Sequence, residues 1–228
     1  MVWGLGVGIL IVVLLFVLVG FVLFKETRKH RFWQEKVDEG DREMITQLVE
    51  EEVALWRTER PPKGTPAAVW QGIQGVELID IGRGYIRAST TAEPQFAQVG
   101  GQRRQVSSAL DEGKRITARL VERFFYDIPH IRPDEVQIDL YTTFHEPDGE
   151  ASQRCILSTN AHRADAAEID WENDPPEVIA ERLGARYDLD ERGHARSIQP
   201  RESPATADDG GVHALRVHER GLPVRGQR

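Results

Sequence analysis

"DEVQIDLYTTFHEPDGEASQRCILSTNAHR", residues 134–163, is the most informative stretch of this 228-residue chain. In its first arm Val136, Ile138, Leu140 and Phe144 alternate with Gln137, Asp139, Tyr141 and His145. That period of two marks a strand with one face toward a core. Pro147-Asp148-Gly149 supplies turn residues, and a second β-rich run follows, so the stretch predicts a β-hairpin. The apolar residues also predict its register, because a one-residue slip moves every side chain to the other face. A four-residue loop, 147–150, pairs Glu146 with Ala151. It then sets Val136 against Ala161, Ile138 against Thr159, Leu140 against Leu157 and Thr142 against Cys155. Cys155 is thereby expected on the core face, as a small buried hydrophobe rather than a nucleophile.

The opposite face gathers Glu135, Asp139, Tyr141, Thr143, Arg154, Ser158, Asn160 and His162. Glu135 falls opposite His162 and Asp139 opposite Ser158. A carboxylate beside an imidazole is an acid/base arrangement, while the usual role of such a face is the wet side of an antiparallel sheet. Glu135, Asp139, Tyr141, Arg154, Asn160 and His162 are the candidate polar-face residues. No residue is assigned a catalytic role. His145 and His162 lie at opposite ends of the hairpin, no other histidine spacing suits a metal, and no cofactor is expected.

Upstream, "SALDEGKRITARLVERFFYD" (108–127) predicts a helix capped by Ser107 or Ser108, with Leu110, Ile116, Leu120, Val121 and Phe124 on one face. Arg115, Arg119 and Arg123 recur at intervals of four on the other. They form a candidate anion-binding stripe, unless Asp111–Arg115 and Arg119–Glu122 pairs neutralise it. "GVELIDIGRGYIRAS" (75–89) and "QFAQVGGQRRQV" (95–106) predict two further hairpins. Gly100-Gly101 suits a turn with positive φ at both centres. "DPPEVIAERLG" (174–184) predicts a short helix, with Asp174 as N-cap, Pro175 at its first position and Gly184 just past its end. "RYDLDERGHARSI" (186–198) predicts a last weak hairpin.

Towards the N-terminus, residues 34–60 read as helix broken by Gly40-Asp41, with Ile45, Leu48, Val49, Leu55 and Trp56 near one side and "RPPKGTP" as its stop. From about residue 67 the pattern turns strand-like. Residues Val2 to Phe24 carry no charge and no proline. A helix of that length reaches roughly 34 Å, enough to cross a ~30 Å hydrocarbon core. "MVWGLG" lacks the positive start of a secretory signal and no small-residue cleavage site follows, so an uncleaved anchor is expected. Lys25, Arg28, Lys29 and Arg31 follow at once. By the positive-inside rule they place the N-terminus outside and the rest of the chain in the cytoplasm, with the basic flank on lipid headgroups. A homodimer through Gly4 and Gly8 is compatible with their spacing. A net charge of −8 argues against general nucleic-acid binding. The single cysteine excludes an intramolecular disulfide and is compatible with a reducing compartment.

The expected organisation is a transmembrane anchor (1–24), a basic juxtamembrane segment and helical stalk (25–66), a cytosolic α+β domain (67–199) and a disordered tail (200–228). The domain is expected to be an antiparallel sheet built mainly of hairpins, with one long and one short helix packed on it. A site of the metal-dependent nuclease type would need Glu-x-Lys on a strand after "PDE" at Pro133–Glu135, yet no lysine follows Lys114. P-loop, nucleophile-elbow and zinc-protease motifs are absent as well. The function expected is therefore a membrane-anchored interaction or scaffolding domain that recruits a protein partner. The alternatives are a tethered hydrolase and a small-ligand sensor using the polar face of the 134–163 hairpin.

Overall fold

The computed structural model describes residues 41–145 and 149–202. The expected anchor, its basic flank, the Gly4–Gly8 pair and most of the tail lie outside the described residues. Among the described residues no helix is long and apolar enough to cross a membrane.

The chain is α+β, with helices on one face of a four-stranded mixed sheet. In order, α1 (Arg42–Thr58) and α2 (Ala67–Gln74) precede β1 (Glu77–Gly82) and β2 (Tyr85–Thr91). A separate hairpin follows, β3 (Gln95–Val99) and β4 (Gln102–Ser107). Then come α3 (Ala109–Tyr126), β5 (Glu135–His145), β6 (Ala151–His162), α4 (Arg163–Ala166) and α5 (Pro176–Arg182). A two-residue pair, β7 (Asp188–Leu189) and β8 (Ala195–Arg196), comes last. The sheet order is β1-β2-β5-β6.

The expectation of an antiparallel sheet is corrected here, because β2 pairs with β5 in parallel, Ile86 beside Val136 and Thr90 beside Leu140. Each hairpin is antiparallel within itself. The segment between them contains the 18-residue helix α3, which returns the chain to the end of the sheet where it started and so makes a parallel neighbour possible.

Local signals account for most elements. Asp41 caps α1, its side chain accepting from the Met44 amide at 3.3 Å. Ser108 and Asp111 form a reciprocal capping box on α3. Gly100 and Gly101 have φ of 59° and 80°, the double positive φ of a type I′ turn. Gly184 has φ 69° just past α5. That helix starts later than expected: Pro175 is its N-cap, and Asp174 instead accepts from Arg182 at 2.9 Å.

The core lies between helices and sheet. Leu110, Ile116, Leu120, Val121 and Phe124 of α3 meet Ile86, Val136, Ile138, Leu140 and Leu157. Gly113 lets α3 come close, since a Cβ there would stand 2.6 Å from a methyl of Leu140. Helix α1, expected in a stalk, contributes Val49, Val53 and Trp56 to the same core, and Trp56 meets Phe124 edge-on at 5.0 Å. Leu55, expected on its apolar side, is exposed, and Val53 is the buried residue there. Residues 67–74, expected as strand, form α2 instead, burying Val69, Trp70 and Ile73. The short apolar cluster has no extended alternation to distinguish a strand from a buried helix turn.

Candidate functional site

The hairpin register is observed as expected over its inner half. Glu135 pairs with His162, Val136 with Ala161, Ile138 with Thr159, Asp139 with Ser158 and Leu140 with Leu157. Beyond Leu140 a bulge shifts it, so that Tyr141 meets Cys155, Thr142 meets Arg154 and His145 meets Ala151. The last pair before the turn is therefore His145–Ala151 rather than Glu146–Ala151. Ile156 is the extra residue and turns into the core beside Leu157. Two placements change as a result. Cys155 is buried, but on the Asp139 face rather than the core face. Arg154 leaves the Asp139 face and lies with its guanidinium 5.7 Å from the Phe144 ring.

The middle of the polar face, around Asp139, is not wet. Asp139 is 1% exposed, and Gln137 and Ser158 are fully buried. Parallel pairing with β2 brings Tyr85 and Arg87 onto this face. Arg87 binds the Asp139 Oδ2 through Nε at 2.8 Å and Nη2 at 2.7 Å. The Ser158 hydroxyl donates to Asp139 Oδ1 at 2.6 Å, and Gln137 Nε2 donates to the same oxygen at 3.1 Å. The Tyr85 hydroxyl in turn donates to Gln137 Oε1 at 2.9 Å. Both carboxylate oxygens of Asp139 are thus saturated by a charge-assisted network.

The cover comes from the C-terminal segment after α5. Arg186 exchanges backbone hydrogen bonds with Ser158 on the free edge of β6, and the Ile198 amide donates to the Cys155 carbonyl at 2.8 Å. The Arg201 amide then donates to the Ser158 hydroxyl at 3.2 Å, while its carbonyl accepts from Gln137 Nε2 at 2.9 Å. Burial, followed by the charge of Asp139, pushes the Cys155 thiol up to about 11. The same two causes, in that order, raise the Tyr141 hydroxyl. A protonated, covered thiol is a poor nucleophile.

At the far end of the face, Glu135 and Asn160 are half-buried and His162 is exposed. Glu135 Oε1 and Asn160 Oδ1 have no hydrogen-bond partner within the described residues. Among those residues no group of three or more ligating side chains is placed to hold a metal.

The arginine stripe is built into ion pairs. Arg115 binds Glu112 at 2.7 Å, Asp111 being engaged in the helix cap, and Arg119 binds Glu122 at 2.7 Å. Arg123 bridges Glu59 at 2.6 Å and Asp127 at 3.0 Å, with its guanidinium 4.6 Å from the Trp56 ring. It ties α1 to α3. With a carboxylate on every arginine, the stripe offers an anion little net charge.

Arg87 as the partner of Asp139, and Tyr85 and the carbonyl of Arg201 as partners of Gln137, were not legible. The alternation of "GYIRAST" does put Tyr85 and Arg87 on one face, but nothing local pairs that strand with β5. Comparisons of the chain with family models, curated proteins and solved structures found no match.

Proposed function

We propose that this is a single-pass membrane protein, N-terminus outside, whose cytoplasmic α+β domain holds a protein partner at the membrane. The observation that carries the reading is the uncharged run Val2–Phe24 followed directly by Lys25, Arg28, Lys29 and Arg31. The interaction role is favoured over hydrolysis or ligand sensing by the state of the polar face. Its one buried carboxylate is neutralised by Arg87, its thiol is protonated, and residues 186–201 lie across it. An acid/base site needs an unsaturated group within reach of a substrate; Asp139 has neither property, and the Oε1 of Glu135, unpartnered among the described residues, is buried from solvent.

Sidedness is tested with reporters fused after Glu202 in the full chain. A reporter that is active only in the cytoplasm is expected to work, and alkaline phosphatase to stay inactive. Active phosphatase would invert the orientation. Full release of the chain by alkaline carbonate would remove the anchor.

A further inference from the structure

We propose that the β3–β4 hairpin is an arm that docks on an anionic lipid surface beside the anchor. This rests on the anchored reading above and adds a second membrane contact to it.

The arm stands apart from the domain. Among the described residues its two strands pair only with each other, and no other element packs extensively against them. It is tied down at its base. There the Ala92 amide donates to the Tyr141 carbonyl at 2.9 Å, and Thr143 donates to Glu93 at 2.9 Å. On the other side Ser108 enters the cap of α3. A two-stranded hairpin is marginal by itself in water, so an arm held this way gains from a second surface.

Its composition indicates which surface. Of the seven exposed large hydrophobic side chains among the described residues, Phe96, Val99 and Val106 belong to these two strands. No acidic residue occurs between Glu93 and Asp111, whereas Arg103 and Arg104 lie just past the Gly100-Gly101 turn. A chain of net charge −8 thus carries a locally cationic arm with exposed apolar side chains along its length. The register also distributes these side chains. Phe96 shares a face with Arg103, whose guanidinium lies 4.4 Å from its ring, while Val99 lies on the face of Arg104. A flat protein surface would cover one face of such a ribbon. The interfacial layer of a bilayer surrounds both, solvating apolar groups at the acyl boundary and arginines among anionic headgroups. The sixteen residues from Lys25 to Gly40 set an upper bound of about 55 Å, at full extension, on the separation of the anchor from the domain.

The test uses the full chain with Gln98→Cys on the arm, labelled with the polarity-sensitive dye NBD. Cys155, being buried, stays in place, and the unsubstituted chain reports any labelling there. The protein is reconstituted into phosphatidylcholine vesicles with and without phosphatidylserine. The expected result is blue-shifted, brighter emission only with phosphatidylserine, reversed by salt, and no shift from a label at Glu191→Cys. Arg103→Ala with Arg104→Ala should lower the docking equilibrium about 25-fold, roughly fivefold for each basic residue at an anionic surface. Unshifted emission with phosphatidylserine overturns the proposal. So does a shift in pure phosphatidylcholine that grows with the protein-to-lipid ratio, which would mark a second copy as the occupant. Vesicle flotation after carbonate reports the anchor separately: a chain that floats without shifting has an anchor and no docking arm, and one that fails to float has lost the reading beneath it.

Discussion

The β3–β4 and β5–β6 hairpins look alike as sequence. Each is a pair of β-rich runs around a glycine-containing turn, and each mixes apolar with polar side chains. In the folded chain they have opposite fates. Around Asp139 and Ser158, β5–β6 is buried on both faces, by helices on one side and residues 186–201 on the other, while Phe96, Val99 and Val106 of β3–β4 remain exposed. The difference is set by neighbours. Parallel pairing with β2 supplies Arg87 to Asp139, and the segment after α5 crosses the edge of β6 to supply Arg201. Among the described residues no element packs extensively on β3–β4. Polarity on a strand therefore marks a wet face only where nothing from elsewhere in the chain satisfies it.

The contrast is broken most directly at Asp139. Asp139→Ala leaves Arg87 facing a buried void, and a loss of about 3–5 kcal/mol is expected from removing one partner of a buried pair, read from denaturant melts. A loss under about 1 kcal/mol, the figure for an open solvated face, would show that residues 186–201 do not seal it. Leu140→Ala on the helix-covered face should cost roughly 2–5 kcal/mol. Near-equal losses on the two sides of one strand are the signature of double burial.

Cys155 sharpens the comparison through pH. Its thiol is raised from the ordinary 9.0 to about 11 by burial and then by Asp139, so between those values the folded chain binds more protons than the unfolded one. The stability that Cys155 contributes is complete below pH 9.0 and is lost as pH rises toward about 11. Cys155→Ala should flatten that part of the alkaline limb. Labelling of the native thiol should be slow at neutral pH and accelerate only on unfolding.

The smallest effects belong to the arm. Phe96→Ser and Val106→Ser should each change stability by no more than about 0.5 kcal/mol, with melting curves superimposable on those of the unsubstituted chain. A loss comparable to that of Leu140→Ala would mean that the arm packs on the domain in solution, and the contrast between the hairpins would disappear.

Features that depend on a few neighbouring residues could be read directly from the chain. Asp41 and Ser108 as caps, the double-glycine turn, the buried face of α3 and the inner register of β5–β6 all follow from side-chain chemistry within a dozen or so positions, or across one short turn. Features that depend on distant partners could not. The bulge at Ile156 follows from the core accepting both Ile156 and Leu157, which strict alternation would put on opposite faces. The parallel β2–β5 pairing depends on where α3 returns the chain. The placement of α1 in the core depends on Trp56 finding Phe124 and Arg123, both more than sixty residues away. The fate of Asp139 was the least legible. Its ionisation partner lies 52 residues upstream and its cover 62 residues downstream, at Arg201. A charge on an alternating strand looks the same in sequence whether water or an arginine meets it, and only the tertiary fold chooses between them.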